Sequence, residues 1–265
     1  MGTSSEGVLT LTPPSYPRGI ILGDESQPLQ TIYEESSTQN YHCGTKLVYS
    51  DGRVFRYAKN GGTALTRAHM NTAEAAVANC VAETQSVSGT SADVGDLEIT
   101  IDVTNASGIT DNLYQDGTLF VESSTGIGDI YKVLACKLLT TTTARILLET
   151  PIRTAWAAGT VISLVKNKWY EVDVMPTTAE RSPAGINLID VTANYFCWLQ
   201  TGGYAPCIVD TSETLVKGDN VGYPATLDVA GCCGIMAADT DVVWGVVSVA
   251  VAAAGAALID LRLDS

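Results

Sequence analysis

The chain has 265 residues, and its 15 Lys and Arg stand against 29 Asp and Glu, a formal net charge of −14. That sign is wrong for a protein that neutralises phosphates, so nucleic acid is not expected as a partner. With 46% hydrophobic and 17% charged residues the acidity belongs to a folding chain rather than a self-repelling disordered one, and 24 glycines beside few aromatics favour short strands and tight turns. The expected class is mainly β.

Residues 1–42 carry Pro13, Pro14, Pro17 and Pro28 among polar residues, with short apolar runs at Val8-Leu9 and Ile20-Ile21-Leu22. Proline fixes φ and removes a donor, so the stretch reads as an extended N-terminal arm rather than a helix or a central strand. Its opening has no basic stretch followed by an apolar one, and no secretory leader is expected. Beyond it, Ser50-Asp51-Gly52 separates two β-rich runs, a hairpin signal. Ala64 to Glu83 is rich in Ala, with Leu65, Ala68, Ala76, Val77 and Cys80 near helical spacing, and predicts one short helix, with Asn71-Thr72 as a weak point.

From Ser86 to Lys168 turn signals recur about every ten residues. They bound strands at Leu97–Val103, Thr118–Glu122, Ile130–Leu134, Ala144–Glu149 and Thr160–Val165, the pattern of a small antiparallel barrel or sandwich. Tyr195–Gln200, Cys207–Asp210, Leu215-Val216 and Val242–Val251 continue it, with a boundary placed near Pro176 to Pro183. The divisions are thus an arm over 1–42, a hairpin plus helix over 43–85, one β domain over 86–176 and a second over 177–265. Val242 to Ile259 contains one polar residue, Ser248, and is as long as a minimal spanning helix. Its Val-rich first half, Ala/Gly middle and acidic flanks predict a buried hairpin instead, and no membrane is expected as a partner. Phe55, Tyr57, Tyr131, Trp169 and Trp198 are expected in packing roles.

Motifs for chemistry are sparse. The seven cysteines (Cys43, Cys80, Cys136, Cys197, Cys207, Cys232 and Cys233) form no CxxC pair and read as buried hydrophobes of a chain folded in a reducing compartment. His42 and His69 lack a neighbouring nucleophile motif or a second ligand pair, and Gly126-Ile127-Gly128 lacks the third glycine of a dinucleotide loop. No catalytic residue, metal or cofactor is assigned, and an enzyme is not expected.

Four fragments carry a resemblance: Tyr49–Ala58 (YSDGRVFRYA), Tyr114–Leu119, Gly126–Val133, and Tyr195–Gly203 (YFCWLQTGG). Together with Lys217-Gly218-Asp219 and the closing apolar strand, they resemble head-associated virion proteins of tailed bacteriophages, in particular capsid decoration (cement) proteins. The resemblance covers residues 44–263; the cysteine content departs from it. It implies two small β-tulip-like domains and a structural protein, made in the host bacterial cytoplasm, on the outer capsid surface of the virion. It further implies the major capsid protein as partner, a homotrimer, and an arm that cements neighbouring capsomers by strand pairing. Tyr16, Ile20, Ile21, Leu22 and Tyr33 would anchor that arm, and removing residues 1–40 would leave the body folded. Other classes remain open at this point: a receptor-binding or fibre-like virion protein recognising a glycan, and a small β-barrel carrier or hydrolase with an apolar cavity.

Overall fold

The computed structural model describes the backbone of residues 20–23, and residues 29–74, 92–102, 110–140, 143–157, 159–177, 181–223, 227–236 and 243–264. Strand β1 (Ile20–Gly23) pairs in parallel with β2 (Lys46–Tyr49), Ile20 opposite Lys46. β2 returns through the Asp51-Gly52 turn into antiparallel β3 (Val54–Lys59). Gly52 takes a φ of 89°, which its missing Cβ permits, and its N–H donates to the Tyr49 carbonyl at 3.0 Å. This hairpin is where the sequence put it.

The arm is not. Between β1 and β2, residues 29–42 are folded into the body: Ile32 and Tyr41 are buried, and Gln30 is the knot that holds them. Its amide Nε2 donates to the Phe196 carbonyl at 2.9 Å, its Oε1 accepts from Tyr57 Oη at 2.8 Å, and its own carbonyl accepts from Trp198 Nε1 at 2.9 Å. Ser36 bridges to Phe196 besides. Polar spacing hid this, because buried polar groups are tolerated once every hydrogen bond is made. Residues 1–19 lie outside the described residues.

The expected helix is also overturned as far as it is described. Over 64–74 the chain forms a bridge from Leu65 to Val191, a left-handed Ala68 (φ 61°) and strand β4 (Met70–Thr72), and no helix occurs among the described residues. Asn71 is the reason: its Nδ2 donates to the carbonyls of His69 and Gly185 and to Asn187 Oδ1, bonds that a helix would forfeit. Residues 75–83 lie outside the described residues.

A five-stranded antiparallel sheet follows, with β5 (Glu98–Asp102), β6 (Thr118–Ser123), β7 (Ile130–Leu138), β8 (Thr143–Leu148) and β9 (Val161–Val165) in the order β5-β8-β7-β6-β9. Alternation sends Leu119, Val121, Tyr131, Val133, Ile146, Leu148, Ile162 and Leu164 inward. All five strands match sequence-read ones, with ends shifted by a few residues.

β10 (Asp173–Val174), β11 (Pro183–Asn187), β12 (Phe196–Ile208), β13 (Asn220–Gly222), β14 (Gly234–Ile235), β15 (Val243–Val249) and β16 (Ala256–Arg262) complete an eleven-stranded sheet. Its main path is β1-β2-β3-β12-β16-β15-β13-β14, with β4, β10 and β11 paired off it. Thirteen-residue β12 is the spine: its first half pairs with β3 and its second with β16, the exchange falling at Gly202-Gly203 beside a register shift. β15 and β16 form the expected hairpin, and no described helix is long and apolar enough to cross a membrane.

The chain divides into two compact units, one within 76–167 and the other built from 16–75 with 168–265. The boundary is therefore not near Pro176 to Pro183, and residues 43–74 are not a separate piece: β4 pairs with β10 and β11, and β3 with β12. In the larger unit the two faces of β3 and β12 bury different clusters. One holds Leu47, Phe55, Tyr57, Phe196 and Trp198, the other Ala58, Val172, Ala184, Cys197 and Leu199. A third, around Trp244, fills the curl of β15 and β16 with Met70, Cys207, Val221 and Ile259. Phe55, Tyr57, Tyr131 and Trp198 are buried packing residues as expected, and Trp169 packs half-buried.

Candidate functional site

Of the five expected anchors, Tyr16 lies outside the described residues, Ile20, Ile21 and Leu22 form most of β1, and Tyr33 is 63% exposed. Among the described residues β1 pairs on one side only, so its outer backbone is a sheet edge. Tyr33 comes to the same corner. Gly23 at the end of β1 pairs with Tyr49, the Arg53 guanidinium lies 5.0 Å over the Tyr49 ring, and the Tyr33 phenol is near enough to Arg53 to favour its charged form. Arg53 is held in place by Asp51, whose carboxylate accepts from its Nε at 2.7 Å. Burial pushes the Tyr49 phenol up, with the Arg53 charge opposing. A β-edge flanked by an exposed aromatic and a pinned Arg–Asp pair can receive an extended segment: the backbone supplies affinity and the corner residues supply selectivity.

Beside this edge the sequence reading missed a second cluster. Lys46 and Arg56 are cross-strand neighbours and both grip Asp264, Lys46 Nζ at 3.5 Å and Arg56 through Nε and Nη2, while Arg56 Nη1 donates to the Gly44 carbonyl at 2.8 Å. Burial raises the Asp264 pKa, but the Arg56 bonds and charge, with Lys46, more than offset this and hold the carboxyl below its ordinary range. Arg56 also lies 5.0 Å over the Trp169 ring and Lys168 Nζ lies 5.4 Å from it. The alternation of Lys46 and Arg56 with buried Leu47 and Phe55 marked a polar face, but no local spacing joins them to residues 168, 169 and 264.

The residues considered for chemistry do not converge. His42 is buried, and His69 Nδ1 lies 2.9 Å from the Arg67 carbonyl. Six cysteines are described, all buried, and burial pushes Cys197 up to about 12 and Cys232 up to about 11. Among the described residues no group of three His, Cys, Asp or Glu side chains could hold a metal ion. Gly126 lies in a turn at a φ of 84°, where a Cβ would stand 3.0 Å from Trp156 Nε1. The Asp210 carboxylate accepts from Ser212 N and Oγ at 3.1 and 2.7 Å and from Asp228 N and Val229 N at 2.9 Å each. Its donors come from Ser212 on one side and Asp228 and Val229 on the other, which marks a clamp between two loops.

No family model, curated protein or solved structure matches the chain.

Proposed function

We propose that this chain is a structural virion protein that docks on the outer surface of a phage capsid and cements adjacent capsomers through the β1 edge and its flanking corner. The observation that carries the reading is the position of Ile20–Gly23 at the end of the eleven-stranded sheet, where strand addition by a partner costs no rearrangement of the body. The phage part of the reading rests on the sequence resemblance at Tyr49–Ala58 and Tyr195–Gly203, and the trimer belongs to the same reading. Many weak copies on a lattice add by multivalency, so each contact can be modest.

Truncation to residue 40 does not test this, since it would remove Gln30, Ile32 and the bonds they make in the core. Ile21→Pro does, because it deletes one N–H in β1 and leaves the rest of the sheet paired. Capsid particles lacking the protein are mixed with the full chain, and bound copies are counted against the major capsid protein by quantitative mass spectrometry. Stoichiometric binding by the wild type, lost by a protein with Ile21→Pro that melts near the wild-type temperature, is the expected outcome. Equal binding by the two proteins rejects the edge, and no binding by the wild type rejects the capsid. Light scattering of the free protein tests the trimer.

A further inference from the structure

The cluster around Trp169 has one cation too many for its carboxylates. Arg56 and Lys46 share Asp264, whereas Lys168 makes no ion pair among the described residues; the charges acting on it are Asp264, already engaged twice, and Arg56, which repels it. Burial favours the neutral Lys168 amine, Asp264 opposes this and Arg56 adds to it, so the pKa is lowered overall. Three cations on one carboxylate leave a local excess of positive charge in a molecule whose net charge is −14. Lys46 and Asp264 keep about a fifth of their side-chain surface in water, so a ligand can still reach them. The Trp169 indole is half-buried, with Arg56 at 5.0 Å and Lys168 at 5.4 Å from its ring, so a side chain that reaches these cations also meets apolar surface. Lys46 lies on β2, one strand spacing of about 5 Å from the β1 edge.

We propose that Lys168, Arg56 and Lys46 around the Trp169 ring receive the carboxylates of an acidic segment on the protein partner. That the partner is a capsid subunit rests on the docking reading above; the chemistry rests on these side chains. A long polyanion is a poor occupant, because beyond a screening length of about 8 Å it meets the acidic remainder of the molecule. A short run of Asp or Glu fits the excess and needs no more than one or two carboxylates.

The full chain is titrated with a hexaglutamate peptide, with hexalysine and inorganic phosphate as controls, by calorimetry and tryptophan fluorescence. Trp156, Trp198 and Trp244 are each at most 1% exposed, so a peptide-induced change in emission reports Trp169. Hexaglutamate is expected to bind and to weaken with added salt, and Lys168→Gln, which removes charge without removing a hydrogen bond, is expected to weaken it by about tenfold or more. Equal binding by wild type and Lys168→Gln overturns the site, as does phosphate binding as tight as hexaglutamate. On particles, a Lys168→Gln protein that has lost hexaglutamate yet binds like the wild type overturns the role in docking while leaving docking itself intact. Failure of the wild type on particles, with hexaglutamate still bound through Lys168, counts against the capsid partner alone.

Discussion

Asp210 illustrates how one buried charge can hold a loop pair together. It is fully buried, yet four donors converge on it and tie Asp228 and Val229 to the turn at Ser212. Burial alone would raise its pKa; the Ser212, Val229 and Asp228 donors win, and the carboxyl sits below its ordinary value of 3.8. The unfolded chain therefore binds the proton more readily than the folded one. Stability from Asp210 is complete above the unfolded value and is lost as pH falls through the folded value. Asp264 acts in the same direction through Arg56 and Lys46. Asp210→Asn, which turns one acceptor oxygen into a donor facing N–H groups, is expected to cost about 2 kcal/mol at neutral pH. Its melting temperature should vary less between pH 5 and pH 3 than that of the wild type; a parallel decline in both proteins would remove Asp210 from the account.

At the scale of elements, the C-terminal hairpin depends on a glycine for close approach rather than for turning. A Cβ on Gly245 of β15 would stand 2.2 Å from the Asp260 carbonyl oxygen and 3.1 Å from Leu261 Cα, both backbone atoms of the paired strand β16. Backbone cannot swing aside as a side chain can, so Gly245→Ala is expected to destabilise by about 2–3 kcal/mol, read from denaturant midpoints. An effect within about 0.5 kcal/mol would mean that β15 and β16 can move apart at this point at little cost. Gly203 is different: its φ of 76° lets β12 change partners from β3 to β16, and a strand reading of Tyr195–Gln200 that stops at the glycines misses this continuation.

At the scale of the whole molecule, residues 76–167 form a compact unit inserted within another. The ends of the host lie together: Thr72 pairs with Asp173 and Asn71 with Val174. Replacing residues 76–167 with a short Gly/Ser linker is therefore expected to leave the host unit folded, with its tryptophans Trp198 and Trp244 still protected and its thermal transition cooperative. Loss of protected amides in β3, β12 and β16 by hydrogen exchange would show instead that the host needs its insert.

How much of this was legible follows from the range of each interaction. The Asp51-Gly52 turn, the five strands of the inserted sheet and the Val-rich closing hairpin are written in neighbouring residues, because turn chemistry and period-2 alternation act over a few positions. Gln30, Asn71 and the Trp169 cluster are not. Gln30 looks like part of a polar tail until Tyr57, Phe196 and Trp198 surround it, and Lys168 looks like an ordinary surface lysine until Arg56 and Asp264 arrive from positions far along the chain. Composition and local pattern by themselves determined a mainly β, acidic chain and most of its strands. Only the tertiary structure decided that Gln30, Ile32 and Tyr41 are core, that residues 64–74 are not helical, that the chain is an insertion rather than a series, and that Lys168 stands beside a carboxylate already engaged by Lys46 and Arg56. Each of those depends on hydrogen bonds and charges between residues distant in sequence, whose energies do not exist until the sheets close.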